Sequence, residues 1–186
     1  MDSLFAGCGY VGRQVALREL ADGSAVAAMV RTAESAERLN QEGVEAVSID
    51  LENECPGIGP LGGRVLYWFA PPQPEDDQDR RLRYFIHCAD QSGEWPSRVV
   101  LISTTGVYGD CHGEWVTEDR VVEPLTGRAR RRVDAEQSMQ GWCQTHDIPI
   151  VVLRVPGIYG AGKLPLKRLR EGLPVLTPKL APWSNR

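Results

Sequence analysis

Nowhere in these 186 residues does an apolar run approach the ~20 positions that a membrane-spanning helix needs, so no helical membrane span is expected. No leader is expected either: the first basic residue is Arg13, and the apolar run before it is only a few residues long. The five cysteines (Cys8, Cys55, Cys88, Cys111 and Cys143) include no C-x-x-C pair. An odd, scattered set of this kind indicates neither a zinc site nor a disulfide framework, and it reads as reduced thiols of a cytoplasmic protein. Excess positive charge is also absent. At a formal net charge of -4 the chain is a poor candidate for nucleic acid or an anionic membrane as its main partner.

What is present is ordinary globular composition, 42% hydrophobic and 25% charged, enough for one large domain with its own core. The stretch that organises it is Leu4-Phe5-Ala6-Gly7-Cys8-Gly9-Tyr10-Val11-Gly12, an apolar strand breaking into three glycines before a helical pattern. Gly7 allows a sharp exit from the strand, Gly9 lets main chain approach a pyrophosphate, and Gly12 lets the helix lie close to the sheet. With Tyr10 and Val11 these are the candidate cofactor contacts, because a helix start presents NH groups and a positive dipole end to phosphates. A structural tight turn is the alternative reading.

A second strand over residues 25–30 ends at Arg31, about twenty residues past the glycines. An acid there would bond the adenosine ribose hydroxyls. The acid is missing and an arginine stands in its place, which favours NADP(H) over NAD(H). A solvated loop charge is the plainer reading of Arg31. A helix over 33–42 and a third strand over 44–51 follow, and Asp50 is placed either to touch an adenine amino group or to cap the next turn. Residues 53–63 read as loop or one weak turn of helix, and 64–70 as a strong fourth strand stopped by Pro71-Pro72. Ala70 and Pro71 should therefore line the cleft outside the strand ends.

Acidic residues 75–77 are expected to open a helix reaching Ser92, with His87 and Cys88 as packing or surface residues. The fifth strand, 98–103, ends in Ser103-Thr104-Thr105. This hydroxyl cluster either contacts substrate or satisfies backbone groups where the strand stops. A long helix over 127–146, a sixth strand over 149–155 expected to be apolar throughout, a glycine-rich loop and a short basic helix over 163–171 complete the chain. The alternation predicts an α/β fold: a Rossmann-type doubly wound parallel sheet of about six strands, with helices on both faces.

Four segments carry a family resemblance. They are Gly7-Cys8-Gly9-Tyr10-Val11-Gly12, Ser103-Thr104-Thr105-Gly106-Val107-Tyr108-Gly109, Glu118-Asp119 with Pro124, and Leu153-Arg154 with Gly157-Ile158-Tyr159-Gly160. In order and spacing the chain resembles the extended short-chain dehydrogenases/reductases, the group that includes nucleoside-diphosphate-sugar epimerases and dehydratases. The resemblance implies a dinucleotide-binding domain over residues 1–162 and a small-molecule substrate. It implies Thr104 as the catalytic hydroxyl that holds the substrate oxygen. It further implies a proton-exchanging tyrosine and a lysine one helical turn on, but Arg128 and Arg132 stand at those positions. An arginine is effectively never deprotonated, so Arg128 cannot shuttle the proton. Arg132 can still place a positive charge near the nicotinamide ribose. Arg128 and Arg132 share a helix face that either binds an anionic substrate group or is solvated, with Asp134 and Glu136 as partners. The family usually continues past this length, so residues 163–186 are expected to begin a minimal or truncated substrate lobe. The resemblance implies that the helices starting near Asp76 and Gly127 pair two copies into a homodimer, and packing on the sheet explains their apolar stripes equally well. The expected activity is NAD(P)-dependent oxidoreductase or epimerase chemistry, and the rival is a cofactor-binding sensor or scaffold without chemistry.

Overall fold

The computed structural model describes residues 1–55, 61–160, 163, 164, 166 and 170–172. Six strands form one parallel sheet: β1 Ser3–Ala6, β2 Val26–Val30, β3 Glu45–Ser48, β4 Val65–Trp68, β5 Arg98–Thr104 and β6 Ile150–Val155. Their order across the sheet is β3-β2-β1-β4-β5-β6, with every neighbouring pair parallel. The order reverses direction between β1 and β4, which opens a crevice at their C-terminal ends. This is the doubly wound Rossmann arrangement expected from the alternation of strands and helices.

Central strands covered on both faces become continuously apolar, and β1 is buried at all four positions. Its alternation divides the interior. Leu4 and Ala6 face a core with Leu66, Trp68, Leu82, Phe85, Leu101 and Met139, under helices α3 (Arg80–Ser92) and α4 (Gly127–Thr145). Phe5 faces the other core with Ala16, Ala28, Val30 and Leu39, under α1 (Tyr10–Ala21) and α2 (Ala33–Gln41). In the larger core the rings of Trp68 and Phe85 lie 4.9 Å apart, both fully buried.

The helices start where side chains satisfy their free NH groups. Thr32 caps α2 through Ser35 N, Asp79 caps α3 through Leu82 N, and Thr126 caps α4 through Ala129 N. Helix α3 therefore begins at Arg80, not at residue 75 as the acidic run suggested. The side chain of buried Gln73 explains the delay: its amide donates to the carbonyls of Glu75 and Gln78, and its carbonyl accepts from Arg80 N at 3.1 Å. Those bonds hold residues 73–79 as a loop, with Asp76 at a positive φ of 63°.

Two further expectations change. Strand β6 is neither apolar throughout, since it carries Arg154, nor fully covered: Val151 and Leu153 remain exposed on the face away from α4. Cys55 and Cys88 are not reduced thiols: they are joined in a disulfide, and only Cys8, Cys111 and Cys143 are free. The pairing brings together residues 33 apart, a contact made by the fold and not by any local spacing. The basic helix expected over 163–171 falls largely outside the described residues, and residues 173–186 lie wholly outside them. No helix among the described residues is long and apolar enough to cross a membrane, and none of their acidic, histidine or cysteine residues cluster as a metal site.

Candidate functional site

Backbone geometry builds the site first. Gly7 leaves β1 at φ +85°, and a Cβ on it would lie 2.5 Å from Ala70 N and 2.6 Å from Ala70 Cα. Only glycine permits both the left-handed turn and that contact with the end of β4. A Cβ on Gly12 would meet Gly7 O at 2.9 Å, so α1 packs directly on the turn. Gly9 differs: a Cβ there would meet nothing within 4 Å. It is the N-cap of α1, no side chain caps the helix, and the first turn contains no acidic residue. An open glycine over an uncapped helix start leaves NH groups and a positive dipole end available to an anion. These features fit the pyrophosphate of a dinucleotide, with Tyr10 and Val11 opening the helix.

The remaining predicted residues lie at the C-terminal ends of neighbouring strands. Arg31 follows β2, exposed and without a hydrogen-bonding or ionic partner among the described residues. Asp50 follows β3 and caps its own turn, accepting from Glu52 N at 3.0 Å and Asn53 Nδ2 at 2.7 Å. Those bonds hold its carboxyl below the usual range. Ala70 and Pro71 follow β4. Their carbonyls are occupied, Ala70 O by Arg132 Nη1 at 3.5 Å and Pro71 O by Arg81 Nη1 at 2.9 Å.

At the end of β5 the three hydroxyls separate. Ser103 is buried and donates to Glu136, so it serves the fold and does not reach a ligand. Strand alternation carried that signal, since Val99, Leu101 and Ser103 share the inward face. Thr104 is partly exposed. Its Oγ1 accepts from Gly106 N at 3.2 Å, which leaves the hydroxyl proton free to be donated. Thr105 opens a 3-10 turn, Thr105–Tyr108.

The arginines of α4 behave individually. Arg132 is half-buried and reaches inward, donating from Nη1 to Ile102 O at 3.2 Å as well as to Ala70 O. It thereby bridges the ends of β4 and β5. Burial pulls its pKa below the usual arginine value, and Asp79 opposes that shift. Arg128 is exposed, with no hydrogen-bonding or ionic partner among the described residues. Arg130 and Arg131 fasten the loop before α3, through Asp77 Oδ1 at 2.9 Å and the carbonyl of Asp76. The expected partners Asp134 and Glu136 are engaged elsewhere: Asp134 binds Arg83 and Asp79 N, and Glu136 binds Arg154 and Ser103.

Two groups next to the site have partners that the sequence reading did not assign. Arg154 on β6 donates to both oxygens of buried Glu136, to Tyr108 Oη at 2.8 Å and to Glu118 O at 3.1 Å. Tyr108 is thus a buried member of this network, while Tyr159 is exposed. Asp79 is fully buried with Oδ2 unpartnered, and burial raises its pKa to about 6. Nothing in local sequence marks a helix cap as buried beside an arginine far along the chain.

The fold is similar to that of several solved structures. A functionally unknown conserved protein from Silicibacter pomeroyi DSS is 29% identical, with a TM-score of 0.73 over 91% of this chain and 57% of that one. UDP-glucuronic acid 4-epimerase from Bacillus cereus, solved with UDP-glucuronic acid and NAD, is 19% identical, with a TM-score of 0.70 over 92% and 63%. The UDP-glucose 4-epimerase of Thermus thermophilus, solved with NAD, is 22% identical, with a TM-score of 0.72 over 94% and 64%. The chain therefore spans less than two thirds of the length of each. Comparison with curated proteins gives no match. Residues 73–176, which carry Ala129 to Glu136 of α4 and the β5 and β6 ends, match the NAD dependent epimerase/dehydratase family. That match covers more than half of its length, and the chain belongs to the NAD dependent epimerase/dehydratase family.

Proposed function

We propose that the chain binds a nicotinamide dinucleotide across the β1–α1 turn and acts on a small anionic molecule as an oxidoreductase or sugar-nucleotide epimerase/dehydratase. The observation that carries this reading is the open position over Gly9 at an uncapped helix start, beside a Gly7 that nothing larger could replace. Gly7, Gly9, Gly12 and the NH groups of Tyr10 and Val11 would hold the pyrophosphate. Arg31, free at the end of β2, would meet a 2'-phosphate, so NADP(H) is preferred over NAD(H). Asp50 would face the adenine, Ala70 and Pro71 would form a wall, and Arg132 would lie nearest the nicotinamide ribose. When bound, the dinucleotide supplies a hydride donor or acceptor.

Within this chain Thr104 is the catalytic residue, donating its free hydroxyl proton to a substrate oxygen. Arg128 offers its exposed charge to an anionic substrate group, as the sugar nucleotides bound by relatives of this fold would present. The proton that the family tyrosine would carry is exchanged with water. Residues 163–186 would begin the substrate lobe, and α3 and α4 would pair two copies, which light scattering would reveal as a dimer.

Fluorescence titration with NADPH and NADH tests the cofactor site. Both should bind, NADPH more tightly, and Arg31→Ala should remove the difference; failure of both to bind would overturn the proposal. A second reading has the same cofactor site in a sensor without chemistry. It is favoured by the two arginines standing where the proton-exchanging pair belongs and by the engagement of Arg132 with two carbonyls. Single-turnover hydride transfer to a panel of carbonyl compounds separates the two, since a sensor stays silent while binding cofactor.

A further inference from the structure

The loop after β3 is fastened to α3 along one stripe of that helix. Arg81, Tyr84 and Cys88 stand at i, i+3 and i+7 and so share a face. Arg81 donates from Nε to Glu52 Oε1 at 2.8 Å and from Nη1 to Pro71 O at 2.9 Å, joining the loops after β3 and β4. Tyr84 donates to Asn53 O at 3.5 Å, and Cys88 closes the disulfide to Cys55. The stripe thus clasps residues 50–55, the turn that begins at Asp50. Of its three fastenings, the Arg81–Glu52 ion pair is largely shielded from solvent and made by two guanidinium nitrogens, the tyrosine bond is long, and the disulfide is the one that a change of redox conditions opens.

We propose that Cys55–Cys88 is a reversible thiol modification site, a clasp that a dithiol reductant opens to loosen the turn and weaken dinucleotide binding. Its chemistry follows from exposure. Cys88 is buried and Cys55 is exposed, so an incoming thiolate attacks Cys55 Sγ. The S–S bond breaks, and Cys88 leaves as a thiolate that takes a proton from water. The second thiol of the reductant then attacks its own mixed-disulfide sulfur and releases Cys55, which is protonated in turn. Two electrons and two protons pass to the protein, and the reductant ends as a disulfide. The other buried thiols do not compete: burial pushes Cys8 up to about 11 and Cys143 up to about 12, so neither forms thiolate near neutral pH. The effect on binding rests on the cofactor reading above, whereas the opening of the turn does not.

The test uses the full chain, air-oxidised and then treated with dithiothreitol. Thiol titration in denaturant should count three free cysteines before reduction and five after it. Hydrogen exchange in residues 50–55 should accelerate on reduction through local opening, visible in mild conditions where β1 and β4, which exchange only by global unfolding, remain the slowest segments. NADPH affinity should fall by about threefold to tenfold as the closed turn becomes a minor population. Cys55→Ser should show the reduced behaviour in both conditions. Five thiols in the oxidised protein, unchanged exchange, or unchanged affinity would each overturn the proposal. Absence of NADPH binding in either state would instead remove the cofactor reading, and the exchange of residues 50–55 would still decide the clasp.

Discussion

Replacing Asp79 by asparagine removes a carboxylate that the fold buries with one oxygen unpartnered. The amide keeps the capping geometry, because its side-chain oxygen can still accept from Leu82 N as Asp79 Oδ1 does at 3.1 Å. What changes is the charge. Burial raises the Asp79 pKa from 3.8 to about 6, with the Leu82 NH and Arg132 opposing the shift. A group whose folded pKa is raised stabilises the fold fully below its unfolded value, and that contribution is lost as pH rises through the folded value. For a shift of this size the loss is about 3 kcal/mol, spread between roughly pH 4 and pH 6. The Asp79→Asn protein has no such loss. Urea unfolding of both proteins from pH 4 to pH 8 isolates the effect, since other titrating groups cancel in the difference. The stability of the variant relative to the parent should rise by about 3 kcal/mol across that range and stay level above it. A difference independent of pH would refute the reasoning.

Gly9→Ala should leave the melting temperature nearly unchanged, because its Cβ enters open space, yet weaken NADPH binding in a titration by at least about tenfold. Gly7→Ala should instead destabilise the fold by more than about 2 kcal/mol, measured by denaturant unfolding, since it combines a positive φ with a clash against Ala70. Arg154→Leu should cost about 3–5 kcal/mol, because it leaves the buried Glu136 carboxylate without its charged partner and with only the Ser103 hydroxyl donating to it. Calorimetry would register that as a large drop in melting temperature. Under oxidising conditions Cys55→Ser should lower unfolding stability by roughly 3–4 kcal/mol, the chain-entropy value for a crosslink between residues 33 apart, and by almost nothing under reducing conditions.

The strand and helix sequence was legible because apolar runs bounded by Gly7, Gly43 and Pro71-Pro72 leave few alternatives for a parallel sheet. The glycine turn was legible for the same local reason. What local pattern could not supply was which polar side chain answers which. Gln73 delays α3 by bonding the loop before it, and Glu136 reaches past its own helix to Arg154 and Ser103. Arg132 was placed by motif spacing, but its engagement with Ala70 O and Ile102 O depends on how far β4 and β5 extend beneath α4. The Cys55–Cys88 pair is the clearest case. Scattered cysteines exclude a small disulfide scaffold, but they say nothing about two that the fold brings together.

The contact between Gly7 and the backbone of Ala70 has a mechanical consequence. Ala70 O is held by Arg132, and the same guanidinium nitrogen holds Ile102 O. The turn after β1, the end of β4, the end of β5 and the second turn of α4 are therefore linked in series through backbone and one stiff planar group. The Gly7–Ala70 contact and the 3.2 Å bond to Ile102 O are the stiff links of that series and the 3.5 Å bond to Ala70 O is the yielding one, so the ends of β1 and β4 should move together. Adjustment to ligands of different size then falls to segments outside that series, such as the glycine-rich stretch from Gly157 to Gly160. Backbone relaxation should report this as high order through residues 6–7, 70 and 102, with faster motion at 157–160.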